Sequence, residues 1–317
     1  MEKLLSTAQI PTEFLKPTYM IGKIPRKALI SEPRVSYSLY IPPEQYKDIS
    51  RGQANGASQP ALPKLPLLVF IHGTLRDDSY VERGLIPFAE STPCAIMAPL
   101  FPAGLDSSTD LDSYKLLRSP TLRSDLALLD MLNEVAHRWP GIDTTRVFLM
   151  GYSGGGQFVH RFLYLYPERL SAVSIGAPGT VTMLDHSASW PAGIANTEEL
   201  FGIRVDKDLI KQVKIQLVVG DADVEVHGGA EFWSWLQKFK AAAGTELLSS
   251  AQPETELSII PSKEIVQNRL GTLKKLQALW REHGIDAQLD IAEGVKHESL
   301  KCQPYSLNFL QSLIRER

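Results

Sequence analysis

The sequence predicts an α/β fold, with a mostly parallel central sheet flanked by helices and a small lid insertion. Short apolar runs rich in Val, Ile and Leu recur along the 317 residues. Strands that are buried on both faces of a parallel sheet have this character. Amphipathic segments with helical spacing separate the runs, and such alternation is typical of doubly wound sheets. The composition, 44% hydrophobic and 22% charged, suits a single globular domain over residues 1–317.

Seven apolar runs are the strand candidates, and three longer segments are the helix candidates. The predicted strands are residues 35–41, 67–72, 95–98, 147–150, 172–175, 215–219 and 287–291. The predicted helices are residues 122–138, 157–165 and 263–283. In the first helix, apolar residues repeat at three- and four-residue steps and are expected to form the buried face. These residues are Leu122, Leu126, Leu129, Leu132 and Ala136.

Three segments do not follow the alternation of strands and helices. Residues 51–66 and 245–262 are rich in small or polar residues and are expected to form surface loops. Residues 176–211 fit neither pattern, and we expect them to form the lid insertion over the site. Trp190 and Phe201 in this segment could line a pocket, although packing in the core is the favoured interpretation.

Charge, apolar length and cysteine usage exclude several classes of partner. The net charge is −3 with no basic stripe, so nucleic acid is not an expected partner. No run approaches the ~18 apolar residues of a membrane span, and the N-terminus lacks the apolar region of a secretory signal. Cys94 lies in an apolar run and Cys302 in a predicted loop. Two cysteines argue against a disulfide framework, so we expect a reduced, cytoplasmic protein.

One serine lies within a glycine cluster directly after an apolar run. The stretch RVFLMGYSGGGQF places Ser153 between Gly151 and Gly155 in the pattern G-x-S-x-G. Small residues at the flanking positions allow a strand to turn at once into a helix, which exposes the central side chain. We therefore predict that Ser153 is a nucleophile and that the amide of Gly154 is one donor to an oxyanion.

A serine nucleophile needs a base, and the position of each histidine along the chain favours His297. His297 lies in GVKHESL, after the last predicted strand and before a further helix expected at the end of the sequence, where a loop would reach the serine. His227 is the remaining rival as the base, and His72 is better explained as support for the oxyanion loop. The other histidines are expected to be structural, solvated or capping residues, and they are His137, His160, His186 and His283.

Two aspartates follow a later predicted strand and are candidates for the acid that orients the base. The stretch LVVGDADVEV offers Asp221 and Asp223 after Gly220. A carboxylate that leaves the end of a strand can accept the imidazole N–H and hold its tautomer. Either residue could instead form a turn, and the spacing favours Asp223 as the acid.

The second oxyanion donor is expected in the loop after an earlier strand. In PLLVFIHGTLRDD, the apolar run ends at His72-Gly73. The next amide belongs to Thr74, which is the predicted donor, and Leu75 is the alternative.

The order Ser153, Asp223, His297 is that of the α/β-hydrolases, and the chain resembles this superfamily from Val35 onwards. The segment IDTTRVFLMGYSGGGQ is similar to the region before the nucleophile in the polyhydroxybutyrate-depolymerase and feruloyl-esterase-like branch, and in dienelactone-hydrolase-like and prolyl-oligopeptidase-like domains. The resemblance implies a Ser153–Asp223–His297 triad with Thr74 and Gly154 as oxyanion donors. The HGGG motif of one lipase and esterase group is missing.

The predicted function is therefore that of a serine hydrolase without cofactor or metal. The polymer-degrading relatives are usually secreted and carry disulfides, so we expect a small-molecule ester or lactone as the substrate. No HExxH, paired CxxC or GxGxxG pattern points to zinc or a dinucleotide. The alternatives are an amidase or peptidase of the prolyl-oligopeptidase type, a lyase with the same triad, or a ligand-binding protein that does not hydrolyse its ligand.

Overall fold

The computed structural model describes residues 4–48, 63–77, 80–108, 110–224, 234, 238 and 268–317. Within them, eight strands form one sheet in the spatial order β1-β2-β4-β3-β5-β6-β7-β8. The strands are β1 (Gly22–Ala28), β2 (Ser36–Ile41), β3 (Leu65–Ile71), β4 (Ala95–Leu100), β5 (Ile142–Tyr152), β6 (Leu170–Gly176), β7 (Lys214–Gly220) and β8 (Ala287–Ala292). β2 pairs antiparallel with β1 and β4, and the remaining pairs are parallel.

Helices cover both faces of this sheet. They are α1 (Ile86–Ser91), α2 (Ser124–Arg138), α3 (Gly154–Leu165), α4 (Thr197–Phe201), α5 (Lys207–Ile210), α6 (Arg269–Glu282) and α7 (Ser299–Arg315). Alternate residues of β3 belong to different hydrophobic clusters, because successive side chains of a strand point to opposite faces. Leu67 and Val69 pack in the larger cluster with α2, α3 and α6, whereas Leu68 and Phe70 pack with α1 and α7.

All seven predicted strands are present, but β1 was missed. Its sequence, GKIPRKA, carries three basic residues and a proline, and Ile24 is its one buried residue. β1 lies at the edge of the sheet and pairs only with β2. An edge strand tolerates Pro25 and charged side chains, so it lacks the apolar run by which the interior strands are recognised.

The predicted buried face of α2 is wrong at Leu126, whose side chain is 43% exposed. The helix buries Leu132 as predicted, and it buries Ala127, Leu128, Met131 and Val135 beside it. Leucines occur on more than one side of this helix, so spacing alone could not select the face that packs on the sheet.

The predicted lid, residues 176–211, packs on the main body of the protein. Trp190 and Phe201 are both buried in the larger cluster, with their rings 5.1 Å apart in an edge-on arrangement. The indole N–H of Trp190 also donates to the carbonyl of Leu116 at 2.8 Å. Both aromatic residues therefore pack in the core, as the favoured interpretation predicts. A role for this segment as a lid stays a prediction.

Several sequence-based expectations concern loops, cysteines and membranes. Residues 51–62 and 245–262 lie outside the described part of the chain, and Leu65 and Pro66 belong to β3. Cys302 lies within α7 and not in a loop as predicted, because Pro304 is accommodated in the first turns of that helix. Cys94 and Cys302 are both buried and unpaired. Among the described helices, none combines the length and the apolar character needed to cross a membrane.

Candidate active site

Ser153 occupies a strained turn between the last residue of β5 and the first residue of α3. Its backbone angles are φ +56° and ψ −115°, a combination that L-residues rarely adopt. The turn is held by hydrogen bonds on both sides: the Ser153 amide donates to the carbonyl of Gly176 at 2.8 Å, and its carbonyl accepts from the Gln157 amide at 3.1 Å. A strand that ends this sharply presents the serine hydroxyl at the carboxyl edge of the sheet.

Glycines around Ser153 are required by the close approach of strand and helix. A Cβ atom on Gly151 would lie 2.6 Å from the backbone of Gly155, and one on Gly155 would lie 2.1 Å from the carbonyl oxygen of Ile71. At Gly156, a Cβ would lie 2.4 Å from the carbonyl oxygen of Gly176. Backbone atoms cannot move aside as flexible side chains do, so α3 packs this closely only with glycine at these positions. The expectation that Gly151 and Gly155 serve as flanking residues is confirmed.

The loop after β3, residues 72–76, contacts the start of α3 and is called the oxyanion loop here, after the role that the sequence predicts for it. Thr74 is 9% exposed, and its Oγ1 lies 2.9 Å from the position that a Cβ on Gly154 would take. The hydroxyl of Tyr114 and Cε of Lys115 lie 2.6 and 2.8 Å from the same position. The two predicted oxyanion donors therefore belong to neighbouring residues at this edge of the sheet.

His72 supports the oxyanion loop, as the sequence predicts. Its Nδ1 donates to the carbonyl of Gly73 at 2.8 Å, and its Nε2 accepts from the amide of Phe101 at 3.0 Å. Burial lowers the pKa of His72 to about 3, so the ring stays neutral and keeps both hydrogen bonds. The carbonyl of His72 accepts from the hydroxyl of Tyr114 at 3.0 Å.

Arg76 anchors the far end of the oxyanion loop and was not identified from the sequence. Its guanidinium donates to the carbonyls of Thr74, Phe101 and Leu111 at 2.5, 3.1 and 3.0 Å. These acceptors come from three separate stretches of chain. One rigid, multiply donating side chain therefore fixes the loop against its neighbours.

The two aspartates after β7 have different partners. Asp223 is buried, and its Oδ2 accepts from Nδ1 of His297 at 2.6 Å. Asp221 instead accepts from the amide of Gly294 at 2.7 Å, in the turn after β8. The structure thus brings Asp223 and His297 together, whereas Asp221 holds the neighbouring turn.

The loop that carries His297 lies directly on the loop that carries Asp223. A Cβ on Gly220 would lie 1.9 Å from the carbonyl oxygen of Val295, and that oxygen accepts from the amide of Ala222 at 3.1 Å. Only glycine at position 220 allows the two backbones to come this close, which in turn sets the distance between the carboxylate and the imidazole.

His297 reaches the serine turn through Tyr152, the residue before Ser153. The centroids of the imidazole and phenol rings are 5.0 Å apart, and the side chain of His297 is 23% exposed. Within the described residues, no hydrogen bond joins the Ser153 hydroxyl to His297. The three predicted triad residues therefore stand at one edge of the sheet, with the acid and the base hydrogen-bonded and the serine in the adjacent turn.

A buried arginine, which the sequence did not reveal, contacts the same carboxylate. Nη1 of Arg269, in the first turn of α6, lies 2.5 Å from Oδ1 of Asp223. The two side chains are 6% and 0% exposed. Asp223 and Arg269 are 46 positions apart in sequence, and no motif links them.

The remaining described histidines do not contact a carboxylate. His160 is buried within α3, where burial lowers its pKa to about 3. His283 forms the C-terminal cap of α6, as predicted. His137 and His186 are exposed. His227, the rival base, lies outside the described residues.

Comparison with known proteins identifies the fold. No protein-family model and no curated protein sequence matches the chain. Among solved structures, poly(aspartic acid) hydrolase-1 from Sphingomonas sp. KT-1 aligns with a TM-score of 0.61 and 19% identity over 91% of this chain and 98% of that protein. The poly(3-hydroxybutyrate) depolymerase LpqC from Bordetella parapertussis aligns with a TM-score of 0.57 and 17% identity over 88% and 84% of the two chains. A ferulic acid esterase aligns with a TM-score of 0.52 and 14% identity over 92% of this chain and 95% of that protein. With its sheet order and the strained turn after β5, the chain has the α/β-hydrolase fold.

Proposed function

We propose that this protein is a serine hydrolase that cleaves a carboxylic ester, with Ser153, Asp223 and His297 as its catalytic triad. The observation that carries the proposal is the 2.6 Å hydrogen bond between the buried Asp223 carboxylate and His297, next to a strained turn that exposes a serine. A carboxylate, an imidazole and a hydroxyl in this order are the parts needed to activate a serine.

The hydrogen bond to Asp223 sets the role of each nitrogen of His297. Because a carboxylate only accepts hydrogen bonds, Nδ1 carries the proton and Nε2 is left with a lone pair. Nε2 then removes the proton of Ser153 as Oγ attacks the ester carbonyl, and Asp223 stabilises the imidazolium that results. Catalytic hydrogen bonds are often long in a free enzyme and tighten when substrate binds. This fits a serine hydroxyl that makes no hydrogen bond to His297 among the described residues.

The oxyanion of the tetrahedral intermediate would accept from the amides of Thr74 and Gly154. The N-terminus of α3 adds a partial positive charge at the same place. Each preorganised donor typically contributes about 3 kcal/mol to the stabilisation of the transition state. Support comes from the rigidity of the oxyanion loop, which His72 and Arg76 hold from opposite ends.

Collapse of the intermediate completes acylation. His297 returns the proton to the leaving alkoxide, the C–O bond of the ester breaks, and the acyl group remains on Ser153. Water then attacks the acyl-enzyme with His297 as the base, and the same two amides hold the second oxyanion. The products are a carboxylic acid and an alcohol, or one hydroxy acid from a lactone.

Small esters and lactones are the proposed substrates. The hydrolases of poly(aspartic acid) and poly(3-hydroxybutyrate) and the ferulic acid esterase that share this fold support hydrolysis at a carboxyl carbon. A lactone is a cyclic ester and would meet the same groups. The amidase alternative predicts turnover of the matching p-nitroanilide at a rate similar to that of the ester.

The test compares two serine variants. Ser153→Ala is expected to abolish turnover of p-nitrophenyl butyrate and labelling by a fluorophosphonate probe, with unchanged thermal unfolding. Ser91→Ala is the matched control, because within the part of the chain that the structure describes the Ser91 hydroxyl bonds only the carbonyls of Pro87 and Phe88 in its own helix. It should retain both activities. Full turnover by Ser153→Ala would refute the proposal.

A further inference from the structure

The carboxylate of Asp223 is shared between two basic groups. Oδ1 lies 2.5 Å from Nη1 of Arg269, and Oδ2 lies 2.6 Å from Nδ1 of His297. The guanidinium is almost as inaccessible to water as the carboxylate itself, at 6% and 0% exposure. An ion pair that is almost inaccessible to water therefore lies next to the imidazole.

We propose that Arg269 is a positioning residue of the triad, which holds the Asp223 carboxylate in the orientation that binds His297. The proposal rests on the hydrolase function argued above. It assigns a role to a residue that contacts neither the serine nor the substrate and acts only through the acid.

The Asp223 carboxylate is oriented because each of its two oxygens has its own partner, Arg269 for Oδ1 and His297 for Oδ2. With Arg269 on Oδ1, rotation of the Asp223 carboxylate about its Cβ–Cγ bond would break both short contacts. Water cannot replace a lost donor at a site with 0% exposure, so the rotated state would leave a buried charge without a partner. The oxygen that faces His297 is therefore held in one direction.

Among the described residues, Arg269 is the buried cation that contacts the acid. The other charged groups near the same loop lie elsewhere, because Asp221 accepts from the Gly294 amide and Lys296 is exposed.

The experiment measures the rate constant for fluorophosphonate labelling of Ser153 together with thermal unfolding, and it needs no knowledge of the natural substrate. Arg269→Met removes the donor to Oδ1 of Asp223, and it should lower the rate constant by about 10²-fold at temperatures where the variant is folded, because a misplaced catalytic group costs about that much. Arg269→Lys restores a cationic donor, so it should recover at least about tenfold of this loss.

Arg123→Met is the matched control for the loss of a buried ion pair. Arg123 donates to the fully buried Asp125 at 2.6 and 2.9 Å and has no contact with the triad. This variant should lose stability and keep the wild-type rate constant for labelling. The proposal is overturned if Arg269→Met keeps the wild-type rate constant, or if Arg269→Lys is labelled as slowly as Arg269→Met. A failure of the hydrolase function itself would look different, because wild-type Ser153 would then not be labelled at any pH.

Discussion

Adding one methyl group at Gly155 should damage both the fold and the reaction. In Gly155→Ala, the new Cβ would lie 2.1 Å from the carbonyl oxygen of Ile71 and 2.9 Å from that of His72. Both atoms belong to β3 and the oxyanion loop, so relief requires strand and helix to separate by about 1 Å. Overpacking of this kind typically costs about 1–3 kcal/mol of folding free energy. A backbone clash lies at the upper end, about 3 kcal/mol, and a protein of this size then loses about 6 °C in Tm.

The same displacement has a predictable effect on catalysis. α3 carries the Gly154 amide and the Ser153 turn, whereas the strand carries the oxyanion loop. Separation of the two by about 1 Å would misplace the nucleophile against its oxyanion donors and lower kcat about 10²-fold. KM should change less, because the loss falls mainly on the transition state.

The assay combines thermal unfolding with steady-state hydrolysis of p-nitrophenyl butyrate. Gly73→Ala is the matched control for stability. Its Cβ would meet nothing closer than 3.6 Å, the carbonyl oxygen of Tyr152, and the position lacks a positive φ. Its Tm should stay within about 2 °C of the wild-type value. If Gly155→Ala unfolds at the wild-type temperature and keeps its kcat, close packing at the serine turn does not control the site.

Two further predictions concern the acid and the buried histidines. Asp223→Asn should lower kcat by roughly 10⁴-fold, because the amide favours the wrong tautomer of the base. Asp221→Asn should retain most of kcat. Equal losses of kcat in both variants would contradict the assignment of Asp223 as the acid. His72 and His160 have pKa values lowered by burial to about 3, so the folded protein cannot take up protons that the unfolded chain binds below about pH 6.5. Stability is therefore fully present above that pH and is lost as the pH falls towards 3, by about 2 kcal/mol per histidine at pH 5. Urea unfolding of His160→Phe at pH 7 and pH 5 should show a smaller loss than in the wild-type protein, and an identical loss would argue against this account.

The features that could be predicted from the sequence are those that depend on interactions within a few residues of one another along the chain. Interior strands need continuous apolar runs because both of their faces are buried. The serine turn needs glycine at positions 151 and 155 because backbone atoms come within van der Waals distance there. Both requirements act within a few residues of the motif, so they appear in the sequence as readable patterns.

The order of the site residues could also be predicted, although their contacts could not. The carboxyl ends of parallel strands share one edge of the sheet, which is why residues after β5, β7 and β8 were expected to meet. The choice between Asp221 and Asp223 depends on which carboxylate faces His297 and which accepts from Gly294. That choice follows from the approach of two loops at Gly220, and no local pattern encodes it.

Tertiary structure alone decided three further features. β1 joins the sheet as a polar edge strand, because pairing with β2 supplies its hydrogen bonds without an apolar run. α2 buries Leu128 and exposes Leu126, because the helix meets the sheet on one of two apolar sides. Arg269 reaches Asp223 across 46 positions of chain, because α6 begins beside β7. Each is a contact between distant segments, whose free energy depends on where the segments pack and not on the residues that precede or follow them.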